Sequence, residues 1–129
     1  MKRSYRLVIG LIAVVGAFCL TEPVLAGPLE DGLAAYRRGD YATALSLLKP
    51  LAEQSDPLGQ AQLGIMYAEG EGVAQDYVQA YMWLHLAGTN SSDYRVLTFE
   101  IRDRFAAKMT PEQIAEAQGL ATDWKPKGE

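Results

Sequence analysis

The chain has 129 residues, with 12 Lys and Arg against 16 Asp and Glu, a single His and a single Cys. A formal charge of −4 argues against nucleic acid or an anionic lipid surface as the default partner, because both are bound mainly through excess Lys and Arg. One Cys and one His leave no internal disulfide and no Cys- or His-rich zinc site, so neither metals nor covalent staples are expected to hold the fold.

The N-terminus is read first. Lys2, Arg3 and Arg6 precede an uncharged, largely apolar run from Leu7 to Leu20, and Pro23-Val24-Leu25-Ala26 ends on a small residue. This pattern predicts a cleavable export signal over residues 1–26. The apolar run of 14 residues is shorter than the roughly 20 that a membrane-spanning helix needs, so no stable membrane anchor is expected after cleavage. A lipoprotein reading of Gly16-Ala17-Phe18-Cys19 is weaker, because a small residue is wanted where Phe18 stands. Cutting after Ala26 leaves 103 residues from Gly27 to Glu129, with nine basic and fifteen acidic side chains, a net charge of −6 and no cysteine. The expected location is the periplasm, with secretion as the alternative.

Everything after Gly27 has helical periodicity. Leu33-Ala34-Ala35-Tyr36 runs into Arg37-Arg38-Gly39, where cations in the last turn and a following Gly are stop signals. Asp40 then caps a second helix whose Ala44, Leu45, Leu47, Leu48 and Leu51 recur at three- and four-residue spacings, ending near Gln54-Ser55-Asp56. Pro57 opens a third helix, to about Glu69, with apolar residues on two sides: Leu58, Ala61, Ile65 and Ala68, and Leu63, Met66 and Tyr67. Such a helix is expected between neighbours. Gly70-Glu71-Gly72-Val73-Ala74-Gln75 reads as a turn with solvated acids, its glycines free to take positive φ. Asp76 with Gln79 forms an approximate capping box for a fourth helix through Tyr77, Ala80, Tyr81, Leu84 and Ala87. Gly88-Thr89-Asn90-Ser91-Ser92 reads as a polar break with Ser91 or Ser92 as the next cap, and Leu97, Ile101 and Phe105 mark a fifth helix. Thr110-Pro111-Glu112-Gln113 starts the sixth, with Ile114, Ala117, Ala121 and Trp124 on its buried side. No alternating run predicts a strand, so the fold class is all-α.

Six helices in three pairs invite a search for repeats. Gly32, Gly39-Asp40-Tyr41, Ala44 and Pro57 align with Gly64, Asp76-Tyr77, Ala80 and the Gly88 break. Ala61, Leu63-Gly64, Tyr67, Gly70-Glu71-Gly72-Val73, Asp76-Tyr77, Ala80, Trp83 and Ala87 together resemble one full Sel-one-like repeat, of the family related to tetratricopeptide repeats. The first pair is similar to a shorter, tetratricopeptide-type unit. The resemblance implies a short α-α superhelix of three antiparallel helix pairs: residues 27–56, the full repeat at 57–90, and a C-terminal cap at 91–129. An atypical end unit covers the apolar face that stacking would leave open. Gly64, inside a helix where Gly costs roughly 1 kcal/mol against Ala, predicts close approach of a neighbouring helix. Tyr67, Tyr81 and Trp83 are expected to fill the space between pairs, with their polar tips satisfied at the edge.

Catalytic machinery is hard to assemble from these residues. His85 has no Cys or second His to join, and reads as a partly exposed or locally hydrogen-bonded residue. Glu69-Gly70-Glu71-Gly72 fits neither a phosphate loop nor a calcium loop. Glu100, Arg102, Asp103 and Arg104 read as a solvated, ion-paired face. No catalytic residue, metal ligand or cofactor is therefore assigned. The resemblance implies that the first helix of each repeat lines a concave face that holds protein partners, which singles out Tyr36, Arg37, Ile65 and Glu69. The expected function is a non-enzymatic adaptor or regulator that docks a protein of the bacterial envelope. The alternatives are a hydrolase like the β-lactam-acting relatives, which are cysteine-rich where this mature chain has none, or a self-associating structural fragment.

Overall fold

A computed structural model describes residues 27 to 128, so the expected export signal and Cys19 lie outside the described residues. Six α-helices follow in order: α1 Pro28–Arg37, α2 Tyr41–Glu53, α3 Pro57–Glu69, α4 Tyr77–Asn90, α5 Arg95–Ala106 and α6 Pro111–Asp123. No strand occurs among the described residues. Each helix packs on the next through α5, while the main contact of α6 is also with α4, giving a short helical solenoid.

Local chemistry sets the boundaries. Asp40, Asp56 and Asp76 each accept a bond from the backbone N–H three residues on, at Thr43, Gly59 and Gln79, so α2, α3 and α4 start on the same device. The reciprocal glutamine bond expected at Gln79 is not formed, whereas Thr110 and Gln113 make both halves of a capping box at α6. The stops are shared too. At the end of α1 the Asp40 N–H donates to Ala35 O at 2.9 Å and Gly39 N–H to Tyr36 O at 2.9 Å, with Gly39 at φ 78°. At the end of α2 Asp56 N–H donates to Leu51 O at 3.0 Å and Ser55 N–H to Ala52 O at 3.2 Å, with Ser55 at φ 71°. Both are Schellman closures, and the second places a residue with a Cβ in the left-handed conformation. Gly70, at φ 67°, turns the chain out of α3 in the same way, with Glu71 N–H on Met66 O at 2.9 Å.

The core consists of two clusters that share Leu45. One gathers Ala35, Ala44, Leu48 and Met66 with Leu33, Tyr36 and Tyr41; the other gathers Ala52, Leu63, Met82, Trp83 and Leu86 with Tyr67, Ala121 and Trp124. Helix α3 contributes to both, Leu63 and Tyr67 to one and Met66 to the other, all from one of its two apolar sides, and α3 against α4 is the most extensive interface. Small residues allow this. A Cβ on Gly64 would lie 2.9 Å from Leu84 Cγ and 3.1 Å from Ala80 O, so the helices approach to backbone distance. Gln60 is fully buried yet satisfied: its Nε2 donates to Ala52 O at 3.1 Å, and its Oε1 accepts from Asn90 Nδ2 at 3.0 Å. One side chain thus ties the ends of α2 and α4 to the start of α3.

The C-terminal region departs from expectation in three ways. Gly88 does not break α4, which continues to Asn90, and neither Ser91 nor Ser92 caps α5; Tyr94 precedes it without a side-chain bond. Gly88 is instead a close-approach residue, since a Cβ there would sit 2.6 Å from Thr98 Oγ1 and against the Phe99 ring. In consequence α5 turns Thr98 and Phe99 inward, and Leu97, one of the three apolar residues that mark this helix in the sequence, is 58% exposed. Helix α6 does bury the predicted Ala117, with Ile114, Ala121 and Trp124 half-buried, and Trp124 meets Trp83 edge-on at 5.9 Å between centroids. Beyond it the chain returns to the first helix pair: Lys127 N–H donates to Glu53 O at 2.8 Å and its ammonium pairs with the Glu53 carboxylate at 3.0 Å.

Candidate functional site

Helices α1 and α3 occupy equivalent places in successive hairpins and touch each other. Each is followed by a turn with a glycine of positive φ, and the end of α1 meets the long turn at residues 70–76. The Tyr36 hydroxyl donates to Glu71 Oε1 at 3.0 Å, and the Tyr36 and Tyr41 rings lie 5.4 Å apart at 52°. Gly72, at φ 76°, brings this turn against α2: a Cβ there would lie 3.1 Å from both Tyr41 Cβ and Tyr41 O. Two features hold the turn from within. Gln75 Nε2 donates to Ala68 O at 2.8 Å, and Asp76 N–H donates to Tyr67 O at 2.9 Å.

Electrostatics follow from this arrangement. Burial raises the Tyr36 phenol above its ordinary value of 10.0 to about 12, with the bonded Glu71 carboxylate adding to the effect. Tyr41 is also raised, chiefly by a hydrogen bond to Glu71. Glu71 therefore accepts from the Tyr36 phenol and is half-buried, which corrects the expectation of a solvated turn acid. It sits where the second repeat's turn meets the first repeat, and the sequence signal for it is only the Glu between two turn glycines. The Tyr67 phenol is raised by burial, then by Asp76 and Glu53.

The four residues singled out for partner contact divide into two kinds. Arg37 ends α1 and Glu69 ends α3; both are exposed, and neither enters an ion pair among the described residues. Tyr36 and Ile65 are half-buried, the first anchored by Glu71 and the second one helical turn before Glu69. The structure thus gives two anchored or apolar positions each followed by a free charge of opposite sign. The residues expected to shape the repeat serve as packing and turn positions: Gly64 at the α3–α4 contact, Gly70 and Gly72 at positive φ, Asp76 at the N-cap, Ala80 fully buried against Gly64, and Tyr77 stacked on Phe105 at 6.1 Å. Trp83 is buried as expected, but its Nε1–H has no acceptor among the described residues.

A second polar cluster lies between α4 and α5. His85 stacks on Phe99 at 5.6 Å and on Tyr81 at 6.1 Å, both at 11°, and Arg102 lies 4.2 Å over the Phe99 ring and 5.1 Å over Tyr81. Arg102 Nη1 donates to His85 Nδ1 at 2.9 Å. The local bond expected for His85 is therefore a bond across helices. Arg102 does pair with Asp103 at 2.8 Å, as the ion-paired reading of that face has it, yet most of its side chain is covered by rings. A guanidinium only donates, so the imidazole must present a bare Nδ1 and carry its proton on Nε2. None of these groups forms a nucleophile–base pair, and no set of three or more His, Cys, Asp or Glu residues able to hold a metal occurs among the described residues. No described helix is long and apolar enough to cross a membrane.

In comparison with known families, the model described as Sel1 repeat matches twice, at residues 25–56 and 57–92. Neither a curated protein nor a solved structure matches the sequence.

Proposed function

The chain belongs to the Sel1 repeat family, whose repeats are protein-interaction modules, and on that premise we propose that it is an exported, non-enzymatic adaptor or regulator that docks a protein of the cell envelope. The observation that carries this reading is the pairing of equivalent helix ends: Tyr36 and Arg37 at the end of α1, Ile65 and Glu69 at the end of α3, with Arg37 and Glu69 exposed and without an ion pair among the described residues, beside half-buried neighbours. Free charges flanking apolar positions suit a surface that a partner desolvates, because their own ion pairing does not compete with it. The charged, apolar and small-residue pattern of residues 1–26 supports export, and the periplasm is the proposed destination. Docking, with no bond made or broken, is the proposed mechanism.

Site-specific photocrosslinking in intact cells tests it. A crosslinking residue placed at Arg37 or Glu69 is expected to trap the same protein, and one placed at Lys49, exposed on α2, is expected to trap none. Adducts equally strong from all three positions, or unaffected by Tyr36→Ala, would remove this face from consideration.

A further inference from the structure

The interface between α4 and α5 joins close packing at Gly88 to a small set of polar and ring contacts. Helix α5 has α4 as its main neighbour, and its anchors are Phe99 and Thr98 against Gly88, the Arg95 Nε–H bond to Gly88 O at 3.1 Å, the Tyr77–Phe105 stack, and Arg102 across His85 and two rings. We propose that the His85–Arg102 contact is a pH-sensitive latch, which seats α5 on α4 while the imidazole is neutral and loosens it when the imidazole takes a second proton.

The geometry leaves little room for a charged imidazole. Its Nδ1 accepts from a permanent cation at 2.9 Å, so protonation sets N–H against N–H and places two positive charges side by side. Stacking of an imidazolium on Phe99 would offset part of this, but Arg102 already occupies that ring at 4.2 Å. The groups around His85 offer no compensating anion. From α5 come Arg102 and, behind it, Asp103, whose carboxylate is bound by Arg102; Arg95 is held on the Gly88 carbonyl. From α6 comes Gln118, uncharged, which donates to the Tyr81 hydroxyl at 3.2 Å. Against α4 the α3 helix packs Leu63 and Gly64. Tyr81, the other ring in the stack, brings a phenol and no carboxylate.

Burial, and then the Arg102 charge, hold His85 below its ordinary 6.5. A depressed imidazole means that the unfolded chain binds the proton more readily than the folded one. The latch is thus fully set above pH 6.5 and is lost as pH falls through the folded-state pKa.

Because His85 is the only imidazole in the chain, its ring signals can be followed by NMR in protein made without a histidine tag, alongside hydrogen exchange of α5 amides corrected for intrinsic rates. The expected result is a midpoint below 6.5, with protection in residues 95–106 falling by about fivefold or more across it while that in α1 and α2 is unchanged. In His85→Gln, whose amide oxygen still accepts from Arg102 and does not titrate, α5 protection should be the same on both sides of the midpoint. In Arg102→Met the ring midpoint should move up. A ring midpoint at or above 6.5 in the unmodified protein, a loss of protection spread evenly over all six helices, or an unchanged pH response in His85→Gln would each overturn the latch.

Discussion

Substituting Gly64 by Ala sets two opposing effects against each other, and the structure decides the sign. In an open helix the exchange stabilises by about 1 kcal/mol, because Ala restricts the unfolded chain and adds helix propensity. At Gly64 the new Cβ would stand 2.9 Å from Leu84 Cγ, 3.1 Å from Ala80 O and 3.3 Å from Leu84 N. Two of those three atoms are backbone, which no rotamer change can move, so α3 and α4 must separate across the largest interface in the fold. Overpacking of this kind costs ~1–3 kcal/mol, giving a net loss of about 0–2 kcal/mol for Gly64→Ala and a loss near or above the top of that range for Gly64→Leu. A Cβ on Gly119, within α6, would meet no atom within 4 Å, so Gly119→Ala is the control and should gain about 1 kcal/mol. For a domain of this size each kcal/mol moves the thermal midpoint by roughly 4–8 °C, so circular dichroism melts should separate the two alanine variants clearly. Equal stabilisation by both would refute the close-packing argument, and so would an unchanged midpoint in Gly64→Leu.

Three further outcomes are expected. Ser55→Gly should stabilise by about 0.5–1 kcal/mol in chemical denaturation, since Ser55 holds a left-handed φ of 71° at the end of α2; a destabilised variant would mean that the serine makes a compensating contact. Trp124→Ala should cost about 2–4 kcal/mol through the lost contact with Trp83 and its cluster, while Lys127→Ala, which removes an exposed ion pair, should cost under ~1 kcal/mol; comparable losses would place the clamp in the charge and not in the ring. Tyr36 is held neutral up to about pH 12, so its contribution to stability is present below the unfolded value of 10.0 and lost as pH rises toward 12. Tyr36→Phe should accordingly flatten the alkaline decline of the thermal midpoint, and a decline as steep as that of the unmodified protein would count against a phenol held neutral by burial and by Glu71.

The parts of this fold that could be read from the sequence are those decided within a few residues. Thr110-Pro111-Glu112-Gln113 announces α6 because its cap, its proline and its reciprocal glutamine all act inside one turn. Asp40, Asp56 and Asp76 work in the same way. Helix α5 shows the opposite case. Its sequence offers Leu97, Ile101 and Phe105 as a stripe, but the face actually used is selected by Gly88 on another helix, which opens a slot for Phe99. The same glycine reads locally as a break, since composition does not distinguish a residue that ends a helix from one that lets a second helix come near. The candidate face was partly legible. Tyr36, Arg37, Ile65 and Glu69 follow from their places in the repeat, whereas Glu71 and Arg102 did not. A carboxylate in a turn and an arginine beside an aspartate look solvated until the phenols and rings that cover them are brought in, from the preceding repeat in one case and from a neighbouring helix in the other.

The return of the chain from Trp124 and Lys127 to Trp83 and Glu53 also orders events in time. A chain synthesised or threaded N-terminus first can close its first hairpin early, because Ala35, Ala44 and Leu48 pack with Leu29, Leu33, Tyr36, Tyr41 and Leu45 of the same hairpin and need only Met66 from beyond it. The cluster around Met82, Trp83 and Leu86 lacks its last wall until Trp124 has emerged. An unfinished chain therefore leaves one side of the Trp83 cluster uncovered until residues 121–124 close over it, the kind of transiently exposed apolar surface that favours association in incomplete chains.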